Sequence, residues 1–202
     1  MDGILIVSKP KQYTSHDVVA KVKKICKEKV GHTGTLDPMA TGVLPLLIGK
    51  GTSCSKYLIN HDKIYKVTLK LGEKHDTADS EGNVIETQQV LPEVLEKENV
   101  QKVLKNFVGK QEQIPPMYSA IKVNGKKLYE YARKGQKLEL QPRKIEIYFI
   151  NLIEINLEEK EIKFEIGCSK GTYIRSVCED VAKKLGTVRI YERATKNKSW
   201  RI

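Results

Sequence analysis

Hydrophobic and polar positions recur along this chain with two periods, and each period marks an element. Gly3 to Ser8 is a short apolar run that predicts a strand. Thr14-Ser15 can cap the helix that follows, where Val18, Val19, Val22, Ile25 and Cys26 share one face and Lys21, Lys23, Lys24 and Lys27 take the others. Residues 29–42 are rich in Gly, Thr and Pro and break regular structure. Val43 to Ile48 predicts a buried strand, which Pro45 demotes to an edge or a bulge, and residues 52–60 suit a short helix. Lys63 to Leu71 alternates: Ile64, Lys66, Thr68 and Lys70 face one way, and Tyr65, Val67, Leu69 and Leu71 the other, as in a half-buried strand.

The second half continues in the same manner. Residues 74–89 are polar and acidic and read as a loop. Pro92 to Phe107 predicts a helix with Val94, Leu95, Val100, Val103, Leu104 and Phe107 as its apolar set. Ser119 to Val123 predicts a strand, Asn124-Gly125 a turn, and Lys127 to Lys134 a helix. Ile145 to Leu157 and Glu161 to Cys168 predict a hairpin, Thr172 to Leu185 a helix, and Val188 to Arg193 a last strand. Strands and helices are interspersed without strict βαβ alternation, which predicts an α+β fold with a mixed, mostly antiparallel sheet flanked by helices. There is no internal repeat and no low-complexity linker.

Composition narrows the class. At 202 residues and 40% hydrophobic, the chain suits one domain with a real core and excludes disorder throughout. Its apolar runs fall far short of the roughly 20 residues of a membrane span. The opening MDGILIVSKP has neither the basic start nor the apolar length of a signal peptide. A cytoplasmic protein with no membrane association is expected. Lys+Arg 36 against Asp+Glu 25 gives +11, which suggests a polyanionic partner, nucleic acid being the commonest; lysine-rich composition is the plainer account. Cys26, Cys54, Cys168 and Cys178 form no CxxC, and His16, His32, His61 and His75 are not spaced with them as metal ligands, so four ordinary thiols are expected.

The most unusual stretch is Gly31-His32-Thr33-Gly34-Thr35-Leu36-Asp37-Pro38-Met39-Ala40-Thr41-Gly42, with three glycines, three threonines and a proline in twelve residues. It is a tightly turned polar loop, and no Gly-Lys-Ser/Thr closes it as a P-loop. It carries one carboxylate, Asp37, which Pro38 restricts to extended backbone. Read by composition alone, an ordinary Asp-Pro turn is the better account. However, the string GHTGTLDPMATGVLPLLIGKGT resembles the signature of the TruB family of tRNA pseudouridine synthases. Further segments match that family in order: Gly3-Ile4-Leu5 with Lys9-Pro10 and Ser15, Lys63-Ile64-Tyr65, Asp76-Thr77-Ala78-Asp79 with Glu81-Gly82, Ile114-Pro115-Pro116 with Tyr118-Ser119-Ala120, and Ser169 through Arg175. The resemblance runs from about residue 3 to residue 186. Asp76 and Asp79 lack EF-hand spacing, so a solvated or RNA-proximal loop is expected there.

The resemblance implies a pseudouridine synthase catalytic domain over residues 1–186. It implies isomerisation of uridine to pseudouridine at uridine-55 in the T arm of tRNA, with no cofactor, no metal and no obligatory protein partner. It implies Asp37 as the catalytic carboxylate, with nucleophilic attack and proton abstraction from the sugar both open. Arg175 matches the family arginine placed beside it. Tyr65 matches a tyrosine stacked on the uracil, whose hydroxyl can assist proton transfer at C5; Tyr173 and His32 match substrate-side residues, His32 entering the space left by the flipped nucleotide. Physical chemistry favours these types. Breaking a nucleoside bond develops oxocarbenium character that a carboxylate stabilises. A guanidinium keeps a buried carboxylate charged through two parallel hydrogen bonds, and an aromatic ring holds a base removed from its stack. Each residue has a plainer account: core tyrosine, surface arginine, turn histidine. Lys9-Pro10 suits support at the base of the loop.

The end departs from the family. Relatives usually continue into a small RNA-binding domain, so a short form is expected, with residues 187–202 as a basic end and no accessory domain. A family leucine that touches substrate would fall near Tyr191. Arg193, Lys196, Lys198 and Arg201 put four cations in the last ten residues, either a partial phosphate grip or an ordinary basic tail. The alternative to an enzyme is a non-catalytic RNA-binding or tRNA-folding module of the same fold; a third reading keeps the chemistry but targets another RNA with partner proteins.

Overall fold

The first apolar run and the first periodic stretch become β1 (Gly3–Lys9) and α1 (Ser15–Cys26) in a computed structural model, which describes residues 1–75, 83–136 and 138–198, with the backbone alone for 189–193 and 197–198. Thr14 caps α1 through a reciprocal box: its hydroxyl accepts from the Asp17 N–H at 3.1 Å, and the Asp17 carboxylate accepts from the Thr14 N–H at 2.8 Å. The helix buries Val18 and Val19, but its far end is uncovered and Ile25 is 81% exposed. There follow β2 (Val30–His32), β3 (Thr41–Ile48), a 3₁₀ turn into α2 (Ser55–Leu58), β4 (Lys63–Leu71), and a small hairpin of β5 (Glu73–His75) and β6 (Val84–Thr87). Asp76 and Asp79 lie outside the described residues. After a 3₁₀ turn at Pro92–Leu95 come α3 (Lys97–Lys105), β7 (Gly109–Gln113), β8 (Lys122–Val123), β9 (Lys126–Lys127) and α4 (Leu128–Ala132). The chain continues with β10 (Arg143–Asn156), β11 (Glu161–Cys168), α5 (Ile174–Lys184) and β12 (Arg189–Lys198).

The main sheet runs β1-β3-β12-β4-β11-β10-β7, with β2 also on β3. Its pairings are antiparallel except β12 on β3. This is the α+β architecture with a mixed, mostly antiparallel sheet. The expected hairpin is β10–β11, and Asn124-Gly125 turns β8 into β9 with both residues at positive φ. In α5, Ile174, Val177, Cys178, Val181 and Ala182 fall at i, i+3, i+4, i+7 and i+8 and are all buried. Each fully buried aliphatic side chain of this kind contributes about 1.5–3 kcal/mol.

Several expectations need correction, among them the loop at 74–89, where Val84–Thr87 is strand, and the single helix from Pro92, which extended backbone at Glu96 divides into a 3₁₀ turn and α3. Pro45 marks no edge, because β3 has β1 on one side and β2 and β12 on the other. The Pro45 carbonyl accepts from the Thr33 N–H at 3.2 Å, so the missing proline N–H faces the same side, in the interval between the β12 pairing at 41–42 and the β2 pairing at 46–48. Ser119 to Ile121 is not strand: the Ser119 and Ile121 carbonyls accept from Tyr129 and Leu128 at the start of α4. Strand β7, GKQEQ, was not expected, since every residue but its glycine is polar and no alternation betrays it. Finally, the last strand runs past Arg193 to Lys198 and inserts between β3 and β4. The stretch after residue 186 therefore contributes an interior strand of the main sheet, and Lys196, expected in a basic tail, is 2% exposed.

Two hydrophobic clusters result. The larger joins β4, β10, β11, α3 and α5; the smaller joins α1, β3 and the loop after β2. Tyr65 packs against both. The seam depends on Gly42, which has φ +105 and lies so close to β12 that a β-carbon would sit 2.3 Å from the Lys196 carbonyl oxygen. Gly42→Ala should therefore destabilise the fold by at least about 1 kcal/mol. Gly31→Ala is the control, since a β-carbon there meets nothing within 4 Å. Thermal melts of the two variants check this; equal melting temperatures would show that β12 does not press on Gly42.

Candidate active site

Asp37 sits in the loop between β2 and β3, and the chain grips that loop on both sides of it. Upstream, the buried Ser15 hydroxyl accepts from the Leu36 N–H at 2.8 Å and donates to the Leu36 carbonyl at 3.2 Å. Downstream, the Pro38 carbonyl accepts from the Gln12 N–H at 2.9 Å and from Lys9 Nζ at 3.1 Å. Lys9 is fully buried and also donates to the carbonyls of Pro10 and Tyr13. Ammonium donors met by three carbonyls are a tolerable way to bury a lysine. The Asp37 carbonyl closes the turn by accepting from the Ala40 N–H at 3.0 Å. Backbone on both sides is thus fixed while the Asp37 carboxylate stays about one third exposed.

Arg175 meets that carboxylate from the first turn of α5. Its Nε lies 3.0 Å from Asp37 Oδ2, its Nη2 3.4 Å from Oδ1, and the same Nη2 donates to the Tyr118 carbonyl at 2.8 Å. The arginine side chain is only 8% exposed. A buried cation near a helix N-terminus is unfavourable in isolation, and these acceptors compensate it. Gln113, at the end of β7, sets the start of α5. Its side-chain amide accepts from the Tyr173 N–H at 2.8 Å and donates to the Tyr173 carbonyl at 3.1 Å.

These groups border a cleft of about 500 Å³, within the roughly 300–1,000 Å³ typical of small-molecule sites. Asp37, Tyr65, Arg175, His32 and Tyr173 all line it. Tyr65 is half-buried, and burial, with Cys168 and Asp37 nearby, pushes its phenol far above the ordinary tyrosine range. It is therefore a neutral ring and a hydrogen-bond donor at physiological pH, not a phenolate. His32 is pushed down, by burial first and then by His16, and among the described residues its buried Nδ1 has no hydrogen-bond partner. It is a neutral imidazole at the cleft wall. Burial pushes the Cys168 thiol up to about 12, which leaves it inert.

Other groups at the site carried no readable signal or only a partial one. Tyr118 falls within a matching segment, but its contribution is a backbone carbonyl, which no side-chain reading reveals. Gln113 stands in a uniformly polar segment. Lys196 reaches the cleft because it is opposite Tyr65 in the β12–β4 register. The side chains of Tyr191 and Lys198, and Arg201 altogether, lie outside the described residues. Among the described residues no His, Cys, Asp and Glu gather as metal ligands, and no helix is long and apolar enough to cross a membrane.

Comparison with known proteins bears on this geometry. The family model described as TruB family pseudouridylate synthase (N terminal domain) matches residues 22–174. The chain is 50% identical over 186 residues to tRNA pseudouridine synthase B of Clostridium kluyveri, covering 92% of this chain and 63% of that protein. It is 51% identical over 187 residues to the protein of the same name from Clostridium acetobutylicum, again covering 92% and 63%. The match thus spans less than two thirds of these relatives' length. Among solved structures, a chain of a Cbf5-Nop10-Gar1 complex superposes with a TM-score of 0.74 at 29% identity, covering 98% of this chain and 48% of that one. A chain of an H/ACA RNP bound to a substrate RNA containing 2'-deoxyuridine gives 0.69 at 27%, covering 98% and 47%. With the family model spanning most of the sheet and about half of all residues identical to those relatives, the chain belongs to the TruB family of pseudouridylate synthases.

Proposed function

We propose that this chain isomerises uridine to pseudouridine in RNA, with uridine-55 in the T arm of tRNA as the target and the cytoplasm as its place of work. The observation that carries the reading is the Asp37 carboxylate, projecting into a cleft from a doubly gripped loop and neutralised by a buried arginine fork. Breaking the N-glycosidic bond places positive charge on the ribose, and a fixed carboxylate stabilises it. Attack on C1′ and proton abstraction from the sugar both need that carboxylate ionised. Tyr65 offers its ring to the uracil. Because the phenol stays protonated, its hydroxyl takes part in proton transfer from C5 only by handing one proton on as it receives another. Tyr173 and neutral His32 border the space for the extruded nucleotide. Nothing in this chemistry calls for a cofactor.

Two neighbouring structures are of a complex with other proteins and of an RNP bound to a substrate RNA, which is what favours a second reading with a guided substrate. Purified protein alone, given an unmodified T-arm hairpin, separates the two. Loop shape and an accessible uridine carry recognition in the first reading, so the hairpin should suffice. A strict requirement for a guide RNA or partner protein would move the assignment to the second.

Asp37→Asn should reduce isomerisation to background while RNA binding survives, because shape is kept and charge is lost. Mapping of pseudouridine in the reacted hairpin reads this directly; turnover near wild type would remove Asp37 from the chemistry and favour a binding module. Arg175→Met should cut the single-turnover rate by roughly 10²–10³-fold. Arg175→Lys should fall between, since lysine keeps charge but cannot span both carboxylate oxygens and the Tyr118 carbonyl. If both arginine variants react like wild type, the fork does not serve Asp37.

A further inference from the structure

Beyond the reacting centre, the cleft is lined by three further cations. Lys63, Lys170 and Lys196 all line it, and among the described residues none forms an ion pair. Lys170 donates to the Asn60 side-chain carbonyl at 2.8 Å, and Lys63 donates to the backbone carbonyls of Ile59 and His61. Lys196 is 2% exposed, and among the described residues its ammonium makes no hydrogen bond. The sheet register explains how it arrives there. Lys196 is opposite Tyr65 on β4 and opposite Gly42 on β3, and Lys63 stands two residues before Tyr65. Partners across a ladder share a face, as do residues two apart along a strand. Lys63, Tyr65 and Lys196 therefore point into the same cleft. The two lysines converge beneath Gly34, where a β-carbon would sit 3.8 Å from both Lys196 Nζ and Lys63 Cε.

We infer that Lys196, with Lys63 beside it, forms an anion subsite in this cleft that holds a phosphodiester flanking the target uridine. The inference rests on the reading of this cleft as a uridine-isomerising site. Its chemistry follows from charge. Asp37, the carboxylate of the cleft, is already matched by Arg175, so the lysines are not there to balance it. A buried ammonium without acceptors is costly, and an RNA strand carries its full negative charges only on its phosphodiesters. Burial, and then the nearby Lys63, holds Lys196 down to about 8, and burial lowers Lys63 as well. A bound anion offsets that cost, so the subsite is matched only when RNA is present.

Single methylphosphonates, which are neutral, placed in turn at each phosphate around the target uridine of a T-arm hairpin test this. In wild type, one flanking position should weaken binding by roughly tenfold or more. In Lys196→Met the same substitution should add almost nothing, and the log–log salt slope should be smaller in magnitude by about 0.7. Lys24→Met, which removes an exposed cation of α1, should respond to every methylphosphonate as wild type does. The melting temperature of Lys196→Met without RNA should not fall, since an uncompensated buried charge has been removed; should the variant not fold, Lys63→Met carries the same comparison. An identical methylphosphonate profile in wild type and Lys196→Met overturns the subsite. If wild type forms pseudouridine while those profiles coincide, the subsite alone is wrong. If wild type forms none but the profiles differ at one phosphate, the subsite stands and the isomerase reading falls.

Discussion

The contact between Arg175 and Asp37 joins residues 138 positions apart, and much of the architecture serves it. A guanidinium buried to this degree needs its charge matched, because an unpaired buried ion costs several kcal/mol. The match depends on two supports that are independent in sequence. Gln113 fixes the first residue before α5, and so the direction from which Arg175 enters. Ser15 and Lys9 fix Leu36 and Pro38, and so the place of the Asp37 carboxylate. Neither support lines the cleft. A shift at either end would lengthen a fork whose second bond, at 3.4 Å, is already long.

Lysine is buried twice near this loop, with opposite solutions. Lys9 is inside because the bend of the chain at 10, 13 and 38 turns carbonyls toward it, and those bonds hold the loop. Lys196 is inside because β12 is interior to the sheet and its register leaves no choice of face. The first is a fastener complete in the free protein. The second has donors to spare, and they open on the cleft. The same residue type thus does structural work in one place and stands ready for an anion in the other, and only the location of acceptors separates them.

Much of the fold was readable because it is written locally. The 63–71 alternation, the Thr14 cap, the Asn124-Gly125 turn and the α5 stripe each declare themselves within ten residues. What escaped was set by distant partners. Pro45 reads as an edge signal until β2 and β12 are seen to leave it a gap. Ser119 to Ile121 has strand composition, but its carbonyls are taken by α4. Strand β7 is polar throughout apart from its glycine, and it holds its place by pairing with β10. The residues that line the cleft were readable only through the resemblance; composition alone favoured an ordinary Asp-Pro turn. Lys196 reads as one of four terminal cations, a partial phosphate grip or a solvated tail, and neither reading puts it on an interior strand.

That last misreading has a physical cause that also bears on the site. A strand reads as buried when apolar residues mark its inward face, yet the inward face of β12 carries Ala194 and then Lys196 toward the cleft end. Ala194 faces Val67 in the large core, whereas Lys196 faces Tyr65, where the two cores meet. The strand changes from hydrocarbon to ammonium where it passes from packed core to open cleft. Tyr65 makes the same transition on β4, with Val67 and Leu69 behind it and Lys63 in front. A seam between two cores can admit a flat base without leaving a void in either, because each is closed on its own side. The groups lining such a seam can then be chosen for charge rather than packing, as Asp37, Lys63, Arg175 and Lys196 are here.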